Sequence, residues 1–267
     1  MTTANYQQRR QQLANQLSPN SIAIIPTNPE ILRNGLDNHY AYRPHSDFYY
    51  LTGFDEPEAI AVIIPHGNKH QFILFNRVRD ATAETWTGRR AGQEGACRDY
   101  GADTAFPYHE FTQRISQYLE GKQTIYYPFG YCAQFDGLIN QLVNDMRAKV
   151  RAGIQAPTQL VNVQTIIHEM RLFKDAAELA VMRQAGHISA LAHCRAMQAC
   201  RPGMFEYEVE AELLYEFTRH GSRSPAYTNI VAGGANACIL HYITNNQRLN
   251  DGDLLLIDAG CEYRYYS

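Results

Sequence analysis

Leu254-Leu255-Leu256-Ile257-Asp258-Ala259-Gly260 is an aliphatic run that ends directly on a carboxylate. Four consecutive apolar residues leave no polar face, so the run predicts a β-strand buried on both sides. A carboxylate at the end of such a strand is costly unless a cation, a metal or several hydrogen-bond donors receive it. Two readings of Asp258 therefore stand side by side: a ligand held at the end of a buried strand, or a turn-forming Asp that closes a hairpin. Beyond it, Cys261-Glu262-Tyr263-Arg264-Tyr265-Tyr266-Ser267 reads as a second strand with no polar tail, so the chain is expected to stop inside a domain.

Upstream of this run, strands are predicted at 229–232 and 237–242. They follow a helix carrying Val209, Leu213 and Phe217 at i, i+4 and i+8. A longer helix reaches to about Cys200, opened by the capping-box pattern Asp175-Ala176-Ala177-Glu178 and stopped by Arg201-Pro202-Gly203. The first portion alternates helix and strand. Helices are predicted at 6–17, 111–119 and 135–150, and strands at 22–25, 48–51, 59–64, 71–75 and 124–127. The break at Ala156-Pro157-Thr158 opens a boundary zone extending to Lys174, which divides an α/β region at 1–170 from a second region at 171–267.

Composition narrows the function classes. The 267 residues are 45% hydrophobic and carry a net charge of −3, so a substantial core is available and no global attraction to nucleic acid exists. The aliphatic runs stop far short of the roughly 20 residues of a spanning helix, and the N-terminus lacks the apolar stretch of a secretory signal. The six cysteines include no Cys-x-x-Cys pair, which leaves reduced, mostly buried thiols in a cytoplasmic protein as the expectation. His168-Glu169 is not a zincin motif, because Leu172 stands where the second histidine would be. Gly233-Gly234-Ala235-Asn236 lacks the Lys and Ser/Thr of a phosphate loop.

Three stretches together resemble the Xaa-Pro aminopeptidases (aminopeptidase P) of the creatinase/aminopeptidase pita-bread superfamily. They are Tyr42-Arg43-Pro44-His45-Ser46-Asp47-Phe48-Tyr49-Tyr50-Leu51-Thr52-Gly53-Phe54, then His168-Glu169-Met170-Arg171-Leu172-Phe173-Lys174, and the block from 201 to 261. That block contains Ile239-Leu240-His241-Tyr242 and Leu256-Ile257-Asp258-Ala259-Gly260. The resemblance implies an RNase-H-like N-terminal domain over 1–170, followed at 171–267 by the first part of an α+β pita-bread catalytic domain. It further implies a site for two manganese ions held by two aspartates, one histidine and two glutamates, of which Asp258 is the first. The other ligands are expected beyond Ser267, which would leave this chain inactive by itself. Two ions that clamp a hydroxide and polarise a carbonyl act only when both are held, and oxygen ligands with one imidazole suit manganese. The implied substrates are peptides with proline at the second position, the implied assembly is a homo-oligomer at full length, and no nucleic acid or membrane is involved. Prolidase activity, and a non-catalytic peptide- or protein-binding module, are the rival functions.

Each further candidate has a plainer reading beside it. His241, at the end of a predicted strand, is a hydrogen-bonded core histidine on residue type alone; the resemblance makes it the catalytic residue that assists the carbonyl. Tyr227 is a packing tyrosine among 18, or, by resemblance, a wall of the substrate cavity. Trp86, the only tryptophan, falls in a polar stretch read as a surface loop. The resemblance directs it to the substrate entrance and sends Arg151 toward a neighbouring subunit's site, where the alternative is a solvated arginine.

Overall fold

The computed structural model describes all residues from Met1 to Ser267. The chain divides into two compact units, Met1–Phe173 and Lys174–Ser267.

The first unit is built on a six-stranded mixed sheet of order β6-β5-β4-β1-β7-β8. Its strands are β1 (Ser21–Pro26), β4 (Ile60–His66), β5 (Lys69–Asn76), β6 (Thr104–Pro107), β7 (Thr124–Tyr127) and β8 (Gln159–Asn162); a small hairpin of β2 (Leu32–Asn34) and β3 (Asn38–His39) lies apart. β1 is antiparallel to β4 and parallel to β7, with Ala23 opposite Ile63 and Tyr126. Alternation along β1 divides the core. Ala23 and Ile25 join Phe48, Leu51 and Phe54 on one face, while Ile22 and Ile24 join Ile115 and Ile139 on the other. The helices of this unit are α1 (Thr3–Ala14), α2 (Ser46–Thr52), α3 (Ala81–Thr87), α4 (Gly92–Tyr100), α5 (Phe111–Leu119), α6 (Ala133–Ala148) and α7 (Gln164–Leu172).

One predicted strand is a helix. Residues 48–51 lie inside α2, where the ring Nδ1 of His45 accepts from the Asp47 N–H at 3.2 Å and Gly53 ends the helix at φ 67°. The aromatic residues carry β-propensity, but the cap and the left-handed stop set the local conformation. A Cβ at Gly53 would also sit 2.4 Å from the Tyr6 ring, so glycine is required there on two counts.

Arg9 and Arg10 of α1 are buried rather than solvent-facing. They donate to the Tyr50 and Leu51 carbonyls at 3.2 and 3.0 Å, capping the last turn of α2, and their guanidinium groups lie over the Tyr50 and Phe72 rings. Burial lowers the Arg10 pKa to about 10, against the raising effect of Asp103. On the other side of α2, buried Asp47 accepts from Arg171 and is bonded to His168 Nε2 at 3.1 Å. The His168–Arg171 stretch thus anchors α7 to α2.

The second unit packs α8 (Ala176–Ala199) against α9 (Glu206–Arg219). The predicted capping box of α8 is present, with Asp175 Oδ1 accepting from the Glu178 N–H and Glu178 Oε2 from the Asp175 N–H. Two short antiparallel pairs complete it: β9 (Ser224–Pro225) with β12 (Cys261–Glu262), and β10 (Ile230–Gly233) with β11 (Leu255–Asp258). β11 is not buried on both faces as its composition predicts. Its only sheet neighbour is β10, and Leu254 and Leu256 stay 84% and 42% exposed. The strand predicted at 237–242 is instead a 3-10 turn over Gly234–Cys238 followed by a bend.

Candidate active site

Asp258 closes β11 opposite Ile230 of β10. The turn that follows is held by one face of α8, through residues spaced four apart. The Ala185 carbonyl accepts from the buried Cys261 thiol, Ser189 Oγ accepts from the Cys261 N–H at 3.1 Å, and His193 Nε2 donates to the Ala259 carbonyl at 3.0 Å. The Asp258 carboxylate is exposed at this fixed corner. Its Oδ1 accepts from the Tyr227 hydroxyl at 2.5 Å. That bond, with burial and the carboxylate charge adding to it, pushes the Tyr227 phenol up to about 12, so it remains a donor at neutral pH. The structure thus brings two candidates 31 positions apart into direct contact.

His241 lies on the exposed turn after the 3-10 segment, not in a core, and the flanking Leu240 is exposed as well. The loop that carries it leaves β10 at Gly233 and returns beside Asn229 to Val231. There buried Asn245, at φ 47°, accepts from the Val231 N–H and donates to the Asn229 carbonyl, each at 3.0 Å. Inside this loop lies Glu206, a fully buried carboxylate on the first turn of α9. Its Oε1 accepts from the Gly233 N–H and Asn236 Nδ2, and its Oε2 from the Tyr242 hydroxyl and the Gln247 N–H, at 2.7–3.0 Å. Burial alone would raise its pKa, but the four donors outweigh it and hold the carboxyl below the ordinary range. Ser189, His193 and Glu206 escaped the sequence reading. The four-residue spacing on α8 and the acid four residues before Glu210 on α9 are the only signals that precede the structure.

Trp86 and Arg151 belong to the first unit. Trp86 is 85% exposed on the short helix α3 rather than in a loop, and Arg151 is exposed in the 3-10 turn Val150–Ala152. Two clefts past the end of β1, sharing Asn28, Pro29, Tyr131, Cys132 and Gln134, include none of the five candidates. No three His, Cys, Asp or Glu side chains converge to hold a metal ion, so Asp258 stands as a single carboxylate donor. No helix is long and apolar enough to cross a membrane.

Residues 6–126 match the family of aminopeptidase P N-terminal domains, and residues 180–267 match metallopeptidase family M24. From end to end the chain resembles aminopeptidase P. It is 48% identical over 263 residues to the Xaa-Pro aminopeptidase of Escherichia coli K12, covering 98% of this chain and 59% of that protein. The fold matches proline aminopeptidase P II from Yersinia pestis with a TM-score of 0.96 and 50% identity, over 99% of this chain and 61% of that one. It matches equally a zinc-substituted E. coli aminopeptidase P in complex with product, with a TM-score of 0.96, 47% identity and coverage of 99% and 60%. The chain therefore spans about three fifths of the length of its aminopeptidase P relatives. Its first unit is the RNase-H-like aminopeptidase P domain, and its second is part of the M24 pita-bread domain.

Proposed function

We propose that the protein acts as an Xaa-Pro aminopeptidase, hydrolysing the bond before a proline at the second position of a peptide with the aid of two manganese ions. The observation that carries this reading is the Asp258–Tyr227 pair, fixed at a strand end in a chain that resembles aminopeptidase P. The Tyr227 bond engages Oδ1 and leaves Oδ2 to a cation. The proline requirement has a physical basis, since the tertiary amide lacks an N–H and fixes φ, so its recognition needs a dedicated pocket. In this reading His241 is the catalytic residue that assists the scissile carbonyl, while Tyr227, Trp86 and Arg151 contact substrate; the exposure of all four is its support. The residues present supply one metal ligand and no converging set, so the 267-residue chain alone is expected to be inactive. The six free cysteines suit residence in the reducing cytoplasm, and assembly into a homo-oligomer belongs to the same proposal.

The test is hydrolysis of an Xaa-Pro-Xaa tripeptide after chelation and again after addition of Mn²⁺, on this chain and on a chain extended to the relatives' length. The extended chain is expected to regain activity with Mn²⁺, and this chain to show none. Equal cleavage of Xaa-Ala-Xaa would end the proline claim. Cleavage confined to Xaa-Pro dipeptides would make the protein a prolidase, and no cleavage at all would favour a peptide-binding module.

A further inference from the structure

We infer that Glu206 is the positioning residue of the His241 loop: its buried carboxylate, seconded by Glu210 one helical turn on, holds residues 233–247 in the single conformation that presents His241. The inference rests on the proposed role of His241 for its functional meaning, and on geometry alone for the clamp.

Four donors converge on the Glu206 carboxylate, and they come from both ends and the middle of the loop. Gly233 is the last residue of β10, Asn236 lies in the 3-10 turn, Tyr242 follows His241 directly, and Gln247 is on the return. The Glu206 N–H also donates to the Gln247 carbonyl at 3.0 Å, which ties the return segment to the start of α9. Glu210 accepts from Asn245 Nδ2 at 2.9 Å. Two acids at i, i+4 repel each other on a helix, and a fully buried carboxylate is costly without partners, so this pair is tolerable only because loop donors satisfy it. The apolar stripe Val209, Leu213 and Phe217 packs α9 into the core, leaving the acid pair to serve the loop. A segment with an exposed His241 and Leu240 has little apolar packing of its own, so its order rests on its hydrogen bonds, of which the Glu206 carboxylate gathers the most.

The test is amide hydrogen exchange with NMR of the His241 imidazole on the 267-residue chain, which needs no turnover. Glu206→Gln keeps the shape but turns a donor toward two of the four donors. The Gly233 and Gln247 amides are expected to exchange at least tenfold faster and the His241 ring signals to shift, while the central amides of α8 and α9 keep their protection. Unchanged exchange at 233–247 would overturn the clamp. Equal acceleration throughout α8 and α9 would overturn it too, since Glu206 would then be a general stability residue. Should Glu206→Gln fail to fold, Tyr242→Phe removes one donor only and is expected to give a smaller acceleration, about threefold, at the same amides; no acceleration there would overturn the inference. In the extended chain Glu206→Gln is expected to lower kcat more than it raises KM. If His241→Ala leaves turnover intact while the exchange pattern appears, the clamp stands and the role given to His241 falls.

Discussion

In the first unit β1 runs between β4 and β7 with apolar residues packed on both faces, and every residue from Ser21 to Ile25 is buried. In the second, β11 has an equally apolar composition but one neighbour, and its side chains alternate between half-buried and exposed. Two similar aliphatic runs therefore do different work. β1 is a structural centre whose side chains are spent on packing, whereas β11 carries an exposed carboxylate at its end and belongs to a scaffold of two short strand pairs and two helices. Burial depends on what surrounds a strand, not on the strand's own hydropathy, and the candidate Asp258 stands on the less buried of the two strands.

The sharpest way to test the contrast is to truncate matched side chains. Ile24→Ala removes a fully buried side chain from β1 and is expected to destabilise the first unit by about 2–5 kcal/mol. Leu256→Ala in β11 should cost below about 1 kcal/mol, because the side chain is already half in water. Denaturant unfolding read by probes in each unit checks both, and equal losses would erase the distinction.

A second comparison sets stability against turnover. In an active, extended chain His241→Ala is expected to lower kcat by about 10²-fold, the effect of removing one donor that assists a developing oxyanion. The melting temperature should stay within a degree or two, since the residue is exposed. A lost melting temperature with intact kcat would return His241 to a structural role.

The smallest expected effect is a difference in acid response. Burial lowers the pKa of His45 and of His70 in the first unit, with Arg10 adding to the shift at His70. Below the ordinary 6.5 the unfolded chain therefore binds more protons than the folded one, and the first unit loses stability as the pH falls through that region. Glu206 in the second unit is also held below its ordinary value of 4.5, so its contribution is complete above that pH and is lost only as the pH drops through the lower folded value. Each group changes stability by at most about 1.4 kcal/mol per pH unit. Circular dichroism and exchange between pH 7 and 3 should show the first unit weakening first; simultaneous loss would remove the distinction.

Much of the fold was legible. The capping box at Asp175, the apolar spacing of Val209, Leu213 and Phe217, and strands β1, β4, β5 and β7 of the central sheet follow from local pattern, because hydrogen-bonding geometry and side-chain periodicity are local properties, whereas the short edge strands β6 and β8 were not legible. Residues 48–51 misled because aromatic composition suggests a strand while the cap at His45 and the stop at Gly53 make a helix. The burial of Arg9 and Arg10 has no signal in the sequence, because it depends on another helix offering its last carbonyls and on aromatic rings from distant segments.

The sequence by itself determined the alternating α/β organisation, the family resemblance and the presence of a carboxylate at the end of an aliphatic strand, since each resides in neighbouring residues. Only the tertiary structure decided that Tyr227 meets Asp258, that Ser189 and His193 fasten the turn behind it, and that Glu206 gathers both ends of the His241 loop. Those partners lie tens of residues apart, and a hydrogen bond exists only when the packing of α8, α9 and the β10–β11 pair brings donor and acceptor within about 3 Å.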